Sequence, residues 1–275
     1  MHDTGKHIWV RGGRAPIGTM SPVSWSQTVL LVAAGVFGGL AGSIAGLASV
    51  TTYPALLVMG LPPVTANVTN TVALVFNGIG SIAGSRPELA GQLRTLLRIV
   101  PVAALGGVAG AVLLLTTPAE GFEKVVPLLL GVAALAIVLP LPPVADPDRT
   151  RRRTTARAVA EASAIAAICV YGGYFGAAAG VLLLALMMRM GATGLAHANA
   201  TKNVVLAAAN TSAAVVFAIV APVQWPAVIT LGVGCLVGSR LGPVVVRHAP
   251  TKPLRIAIGL AGLALAVKLG WDAYR

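Results

Sequence analysis

The chain reads as an all-α polytopic membrane protein, and three observations carry that reading. Of its 275 residues, 56% are hydrophobic and only 10% charged, against about 25% charged in a soluble domain. Residues 15–85 contain no Asp, Glu, Lys or Arg, and neither do 99–119, 125–145, 162–188 or 203–239. Uncharged runs of that length suit helices that cross about 30 Å of hydrocarbon. Third, short polar and Gly-rich motifs recur at a fixed offset, which marks an internal repeat. Disorder, collagen and a disulfide scaffold are excluded by the same composition, since apolar content is high and Cys169 and Cys235 are the only cysteines.

Taken in order, residues 1–24 form a basic tail with Lys6, Arg11 and Arg14. Cutting at charges, Pro and Gly clusters then predicts eight spans, near 26–46, 64–85, 95–116, 122–141, 158–180, 197–221, 226–247 and 254–271. Between the first two lies the uncharged stretch 47–63, whose apolar piece Pro54 to Gly60 is too short to cross and reads as re-entrant or broken helix. Its counterpart is the run 158–190, interrupted by Gly172, Gly173, Gly176 and Gly180. The domains predicted are the tail 1–24, a first membrane repeat 25–142, an Arg-rich linker 143–157 and a second repeat 158–275, four helices to each repeat.

Lys and Arg in short loops favour the cytoplasmic side. With the eight spans alternating, thirteen basic residues fall on the side of the N-terminus: Lys6, Arg11, Arg14, Arg86, Arg94, Arg98, Arg149, Arg151, Arg152, Arg153, Arg157, Lys268 and Arg275. Five fall opposite: Lys124, Arg189, Arg247, Lys252 and Arg255. Both termini are therefore expected in the cytoplasm and the protein in the cell (inner) membrane. The net charge of +12 is topological, because the cations edge apolar runs rather than cluster on a solvated face, so the lipid bilayer is the expected partner and nucleic acid is not. A homo-oligomer is compatible with this reading.

The halves repeat. Gly38 to Gly46 (GGLAGSIAG) is echoed by Gly172 to Gly180 (GGYFGAAAG), and Ala66-Asn67-Val68-Thr69-Asn70 by Ala198-Asn199-Ala200-Thr201-Lys202. Gln92 and Gln224 stand at the same offset as the second pair. Even span counts in each half place the repeats parallel, while many transporters use inverted repeats, and a crossing by Pro54 to Gly60 and its counterpart would change the count. Gly at four-residue spacing lets helices approach closely, while the Gly beside the breaks, Gly42, Gly46, Gly176 and Gly180, have a second reading as unwound backbone offering N–H groups to an anion.

Two polar clusters open the second and sixth spans and form the candidate substrate site: Asn67, Thr69 and Asn70 with Asn199, Thr201, Lys202 and Asn203. Amides and hydroxyls also bind helices together in lipid. Lys202 is the sharpest residue, since an unpaired charge inside a span costs several kcal/mol. It either snorkels to the interface or meets an anion. Arg240, seven residues before Arg247, reads as an anchor. His197 offers two readings, a carrier of a coupling proton or a capping residue. All eight carboxylates lie in tails, loops or span edges, which disfavours cation pumping, and no catalytic set, metal-ligand spacing or phosphate loop is present. No cofactor, metal or enzymatic activity is expected.

These motifs resemble the sulfite exporter TauE/SafE family, also called toluene sulfonate uptake permeases, over roughly residues 30–270. The resemblance rests on the Gly-rich first helix ending at Gly46 with Tyr53-Pro54-Ala55-Leu56-Leu57 after it, on Ala66 to Asn70, on Asn199 to Asn203, and on Gln224-Trp225 followed by Gly238-Ser239-Arg240-Leu241-Gly242. Two departures are Ala48-Ser49-Val50 and Val181-Leu182-Leu183 where the family carries consecutive Gly, and Met187-Met188 where a Pro is expected. The resemblance implies a permease for sulfite, sulfonates or related sulfur-containing organic anions, often working outward. The rivals are a cation-coupled importer of a neutral solute and a non-transporting helical scaffold.

Overall fold

A computed structural model describes residues 25–138, 155–177, 179–190 and 194–248, with six further residues between 260 and 271. Among these, all regular structure is helical: α1 (Trp25–Ala45), α2 (Ala48–Val58), α3 (Pro63–Gly84), α4 (Arg86–Leu89), α5 (Leu93–Thr116), α6 (Ala119–Val138), α7 (Thr155–Tyr174), α8 (Ala179–Arg189), α9 (Leu195–Val220) and α10 (Trp225–His248). The tail 1–24, most of the linker and most of the span expected at 254–271 lie outside the described residues.

Five helices, α1, α5, α7, α9 and α10, are long and apolar enough to cross a membrane. The 22-residue α3 is as long as these but falls short of them in hydropathy, because Asn67, Thr69, Asn70, Thr71 and Asn77 dilute its apolar face, and all five are buried. It opens on Pro63 with Pro62 as its N-cap, a start that needs no N–H from the first helical residue. The expected short pieces are real helices: α2 and α8 have 11 residues each, about 16 Å, half of what a crossing needs.

Close backbone approaches at glycine fix the helix directions. A Cβ on Gly35 would strike the Leu231 carbonyl, on Gly39 the Cys235 carbonyl, on Gly234 that of Val32 and on Gly238 that of Val36, so α1 and α10 run parallel with their backbones touching. Gly80 meets Leu236 and Ser239, and Gly84 meets Arg240 and Pro243, which sets α3 parallel to α10. In the same way Gly106 faces Cys169 and Gly110 faces Val170 and Tyr174, so α5 and α7 are parallel. Glycine is required here because any side chain would separate helices that lipid itself does not press together.

Two corrections to the expected topology follow. Gly38 faces Thr52, and Gly42 faces Ala48, so α2 folds back along α1 and the pair makes no net crossing. The α7–α8 pair does the same, with Gly172 facing Ala179 at the break and Arg157 donating to the Arg189 carbonyl at the far end. The first half then crosses through α3, α5 and α6, an odd number, where a count of four had made it even. Consistently, α3 and α9 are antiparallel: Gly78 meets Ala207, while seven residues further along α3 Ser85 meets Asn203, earlier in α9. The halves are inverted, not parallel, and the even count of spans fails because a returning half-helix was not counted as a change of direction.

These directions define two faces. At the first, α1, α3 and α10 begin; at the second, α5, α7 and α9 begin. Arg86, Arg94, Arg98, Arg157, Arg189 and Arg247 all belong to the second face, whereas Lys124, in the second turn of α6, belongs to the first. Trp25 and Trp225, exposed at helix starts, share the first face.

Candidate functional site

The breaks meet at the centre. The chain turns out of α1 at Gly46 (φ 76°) and out of α7 at Gly176 (φ 74°), a left-handed conformation that side chains disfavour. Gly46 lies directly against Gly180, and a Cβ on either would strike the Cα of the other. Around this crossing is a narrow cavity of about 20 Å³ lined by Gly42, Gly46, Ala48, Ser49, Thr71, Leu74, Asn77, Gly172, Phe175, Gly176, Ala179, Leu206 and Asn210. That is room for one water-sized guest, so the conformation is closed.

The polar clusters expected to bind substrate are all buried and none of their residues lines the cavity; Asn67, Asn199 and Lys202 bond to the ends of the broken helices. Asn67 Nδ2 donates to the Tyr174 carbonyl at 2.8 Å, and Asn199 Nδ2, 132 positions later, donates to the Ser43 carbonyl at 2.9 Å. Gln224 N donates to Thr69 Oγ1 at 3.1 Å, and the hydroxyl of Thr201, again 132 positions later, meets Gln92 Oε1. Through Asn67 and Asn199 each half fastens the broken helix of the other. Asn203 Nδ2 donates to Ser85 Oγ at 3.2 Å.

The symmetry fails at one position. Asn70 lies against Thr52 Oγ1 and donates to Ser49 Oγ at 3.1 Å, whereas its counterpart Lys202 donates from Nζ to the carbonyls of Gly42 at 3.0 Å and Ser43 at 3.2 Å. Lys202 is fully buried. It neither reaches the interface nor points at open space; its ammonium caps the last turn of α1, where the Gly42 carbonyl also accepts from Gly46 N–H and the dipole is negative. His197 sits exposed in the first turn of α9 at the second face, away from the cavity. Of the glycines singled out at the breaks, Gly42, Gly46 and Gly176 line the cavity and Gly180 closes on Gly46.

The polar side chains that do face the cavity are Ser49, Thr71, Asn77 and Asn210. Asn77 Oδ1 is buried without a partner, as are Asn67 Oδ1 and Asn199 Oδ1. The sequence carries a signal for Asn77 and Asn210, two amides in the middle of apolar runs, but the neighbouring motifs drew attention to the helix openings instead.

Backbone dipoles complete the site. Ala48 and Ala179, the first residues of α2 and α8, both line the cavity, so two half-helices aim their N-terminal ends at it. The N-cap of α2, Leu47, provides no side-chain cap. Such ends attract anions. The opposing carbonyl end of α1 is masked by Lys202 and Asn199. An aromatic cluster, Phe175 edge-on to Tyr53 at 5.4 Å and to Phe122 at 5.9 Å, with Phe122 also edge-on to Tyr174 at 5.7 Å, packs beside the cavity. Among the described residues no group of His, Cys, Asp or Glu is placed to hold a metal.

Residues 31–269 match the sequence profile of the family described as sulfite exporter TauE/SafE. The chain is 27% identical over 251 residues to a probable membrane transporter protein, ORF9, of Sinorhizobium sp, covering 91% of this chain and 95% of that one. It is 26% identical over 238 residues to the probable membrane transporter protein YfcA of Escherichia coli strain K12, covering 86% and 87%. A probable membrane transporter protein of Haemophilus influenzae is 23% identical over 243 residues, covering 88% and 94%.

Proposed function

The chain belongs to the sulfite exporter TauE/SafE family of membrane transporters, and from that premise we propose that it moves a small oxyanion, sulfite or a sulfonate, by alternating access through the crossing of its two broken helices. The observation that carries the proposal is the convergence of two half-helix N-termini on one cavity without a carboxylate among its lining residues. An anion there meets the positive ends of α2 and α8 and amide donors from Asn77 and Asn210. Asn67, Asn199 and Lys202 position the breaks. When one inverted half rocks against the other, the clamps on one break loosen while those on the other persist, which exposes the centre to each face in turn.

Basic residues set the orientation: six of the described Arg flank the second face against one Lys at the first, so the second face lies in the cytoplasm of a cell-membrane protein. Arg86, Arg94, Arg98 and Arg157 keep the cytoplasmic side expected from eight alternating spans, while the start of α1 moves to the opposite side and Arg189 and Arg247 move to the cytoplasm, because α2 and α8 turn the chain back. Transport from the second face to the first is then export.

The test is flux from proteoliposomes loaded with sulfite, thiosulfate or methanesulfonate, with and without a pH gradient. Saturable movement of sulfite or the sulfonate, lowered at least tenfold by Asn77→Leu with Asn210→Leu, is the expected result. Sodium-driven uptake of a neutral solute with no oxyanion flux would reject the reading.

A further inference from the structure

A second cavity, of about 190 Å³, lies away from the central one and shares no residue with it. It is a groove between two matched stripes. Thr95, Arg98, Ile99 and Val102 follow the i, i+3, i+4, i+7 spacing of one face of α5, and Ala158, Glu161, Ala162 and Ile165 follow the same spacing on α7, with Met190 closing the end. Because α5 and α7 are parallel and both begin at the second face, the groove runs about 10 Å from the interface into the hydrocarbon layer. Its mouth is cationic. Arg98 lines it, Arg94 stands one turn earlier on α5, and Arg189 ends α8 nearby. The one acid in the wall, Glu161, is bridged to Arg157 at 3.0 Å, and Arg157 is tied to the Arg189 carbonyl at 3.4 Å. Its floor is apolar, formed by the buried Ile165 and Ile99, and its walls by Val102 and the exposed Ala158 and Ala162.

We propose that this groove holds one anionic phospholipid, its phosphate against Arg98 and the upper part of one acyl chain between Ile99, Val102 and Ile165. A charged mouth at membrane-interface depth over an apolar trough matches that molecule, and basic pockets between membrane helices attract anionic headgroups. A free oxyanion would satisfy the mouth and leave the trough empty. A zwitterionic lipid would fill the trough and carry a choline toward the Arg cluster.

Native mass spectrometry of the detergent-purified protein, titrated with phosphatidylglycerol, phosphatidylcholine or inorganic phosphate, tests this. One phosphatidylglycerol should be retained at least tenfold more strongly than phosphatidylcholine. That preference should fall to about unity in Arg98→Gln and survive in Arg98→Lys. Ala162→Leu, which fills the trough, should lower retention of both lipids, and inorganic phosphate should not displace the lipid. Circular dichroism melting within a few degrees of wild type shows that each variant is folded. Equal retention of the two lipids, unchanged retention in folded Arg98→Gln, displacement by phosphate alone, or a protein dimer occupying the groove would each overturn the proposal. None of these readouts depends on oxyanion flux, so the transport reading stands or falls separately.

Discussion

Lys202 has the most to say at the scale of single residues. Its ammonium is a second donor to two carbonyls at the end of α1, which also accept from Gly46 N–H and from Asn199 Nδ2, so Lys202→Met removes one of two donors from each in an apolar setting. At about 0.5–1.5 kcal/mol for a lost hydrogen bond, the expected outcome is a modest fall in melting temperature together with slower flux, whereas a purely substrate-binding Lys would lose flux at unchanged stability. Thermal melts beside flux assays on one preparation separate the two. The sequence made Lys202 conspicuous, but it did not reveal the partner: 160 residues separate it from Gly42, and spacing along a chain carries no trace of such a contact. Asn77 and Asn210 were harder to see because an amide in an apolar run reads equally as packing. At the second face, Glu88 is bonded to Arg247 through both carboxylate oxygens, and this hydrogen bond holds its carboxyl below the ordinary value of 4.5. The stabilisation is present above that value and is lost as pH falls through the lowered one. In acid titrations wild type should therefore lose stability relative to Glu88→Gln below about pH 4.5, by no more than about 1 kcal/mol for a pair this near solvent.

Among the elements, the two breaks are where sequence and structure agree best. The breaks after α1 and α7 were legible because Pro54 to Gly60 is too short for a bilayer and because Gly172, Gly173, Gly176 and Gly180 interrupt the run 158–190. What stayed hidden was direction, since hydropathy is the same for a segment read upward or downward. Gly46→Ala should be severe for two reasons: its φ of 76° is strained for a side chain, and the new methyl meets the backbone of Gly180. The strain alone is about 1 kcal/mol or more, and the overlap must push the halves apart. Loss of flux with partial loss of folded protein is the expected outcome. Gly60→Ala also sits at positive φ but meets nothing within 4 Å, so it should retain flux. Size-exclusion profiles of the two variants make the comparison.

For the whole molecule, inversion governs the orientation. Single cysteines replacing Gln92 and Val223, on a background without Cys169 and Cys235, should be labelled from opposite sides by a membrane-impermeant maleimide: position 223 in intact cells and position 92 only after permeabilisation. Labelling of both positions only after permeabilisation would restore the arrangement that counting eight spans suggests, which puts 92 and 223 on the same cytoplasmic side. That count went astray on one step. It treated α1 as a crossing and the piece after it as a detour, and α7 in the same way, so the start of α1 and the segments after α8 were assigned to the wrong face while those between α3 and α7 kept theirs.

The crossed fastening also has a consequence in time. A ribosome finishes α1 long before it makes Asn199 and Lys202, the donors that hold the end of that helix. Lys202 follows Gly42 by 160 residues, which at about 5–20 residues per second is roughly 8–32 s of synthesis. Throughout that interval the first hairpin waits in the bilayer with only its local bonds at Ala41 and Gly42 and the Ser43 carbonyl without these donors, and it takes its final form only when the other half of the polypeptide arrives.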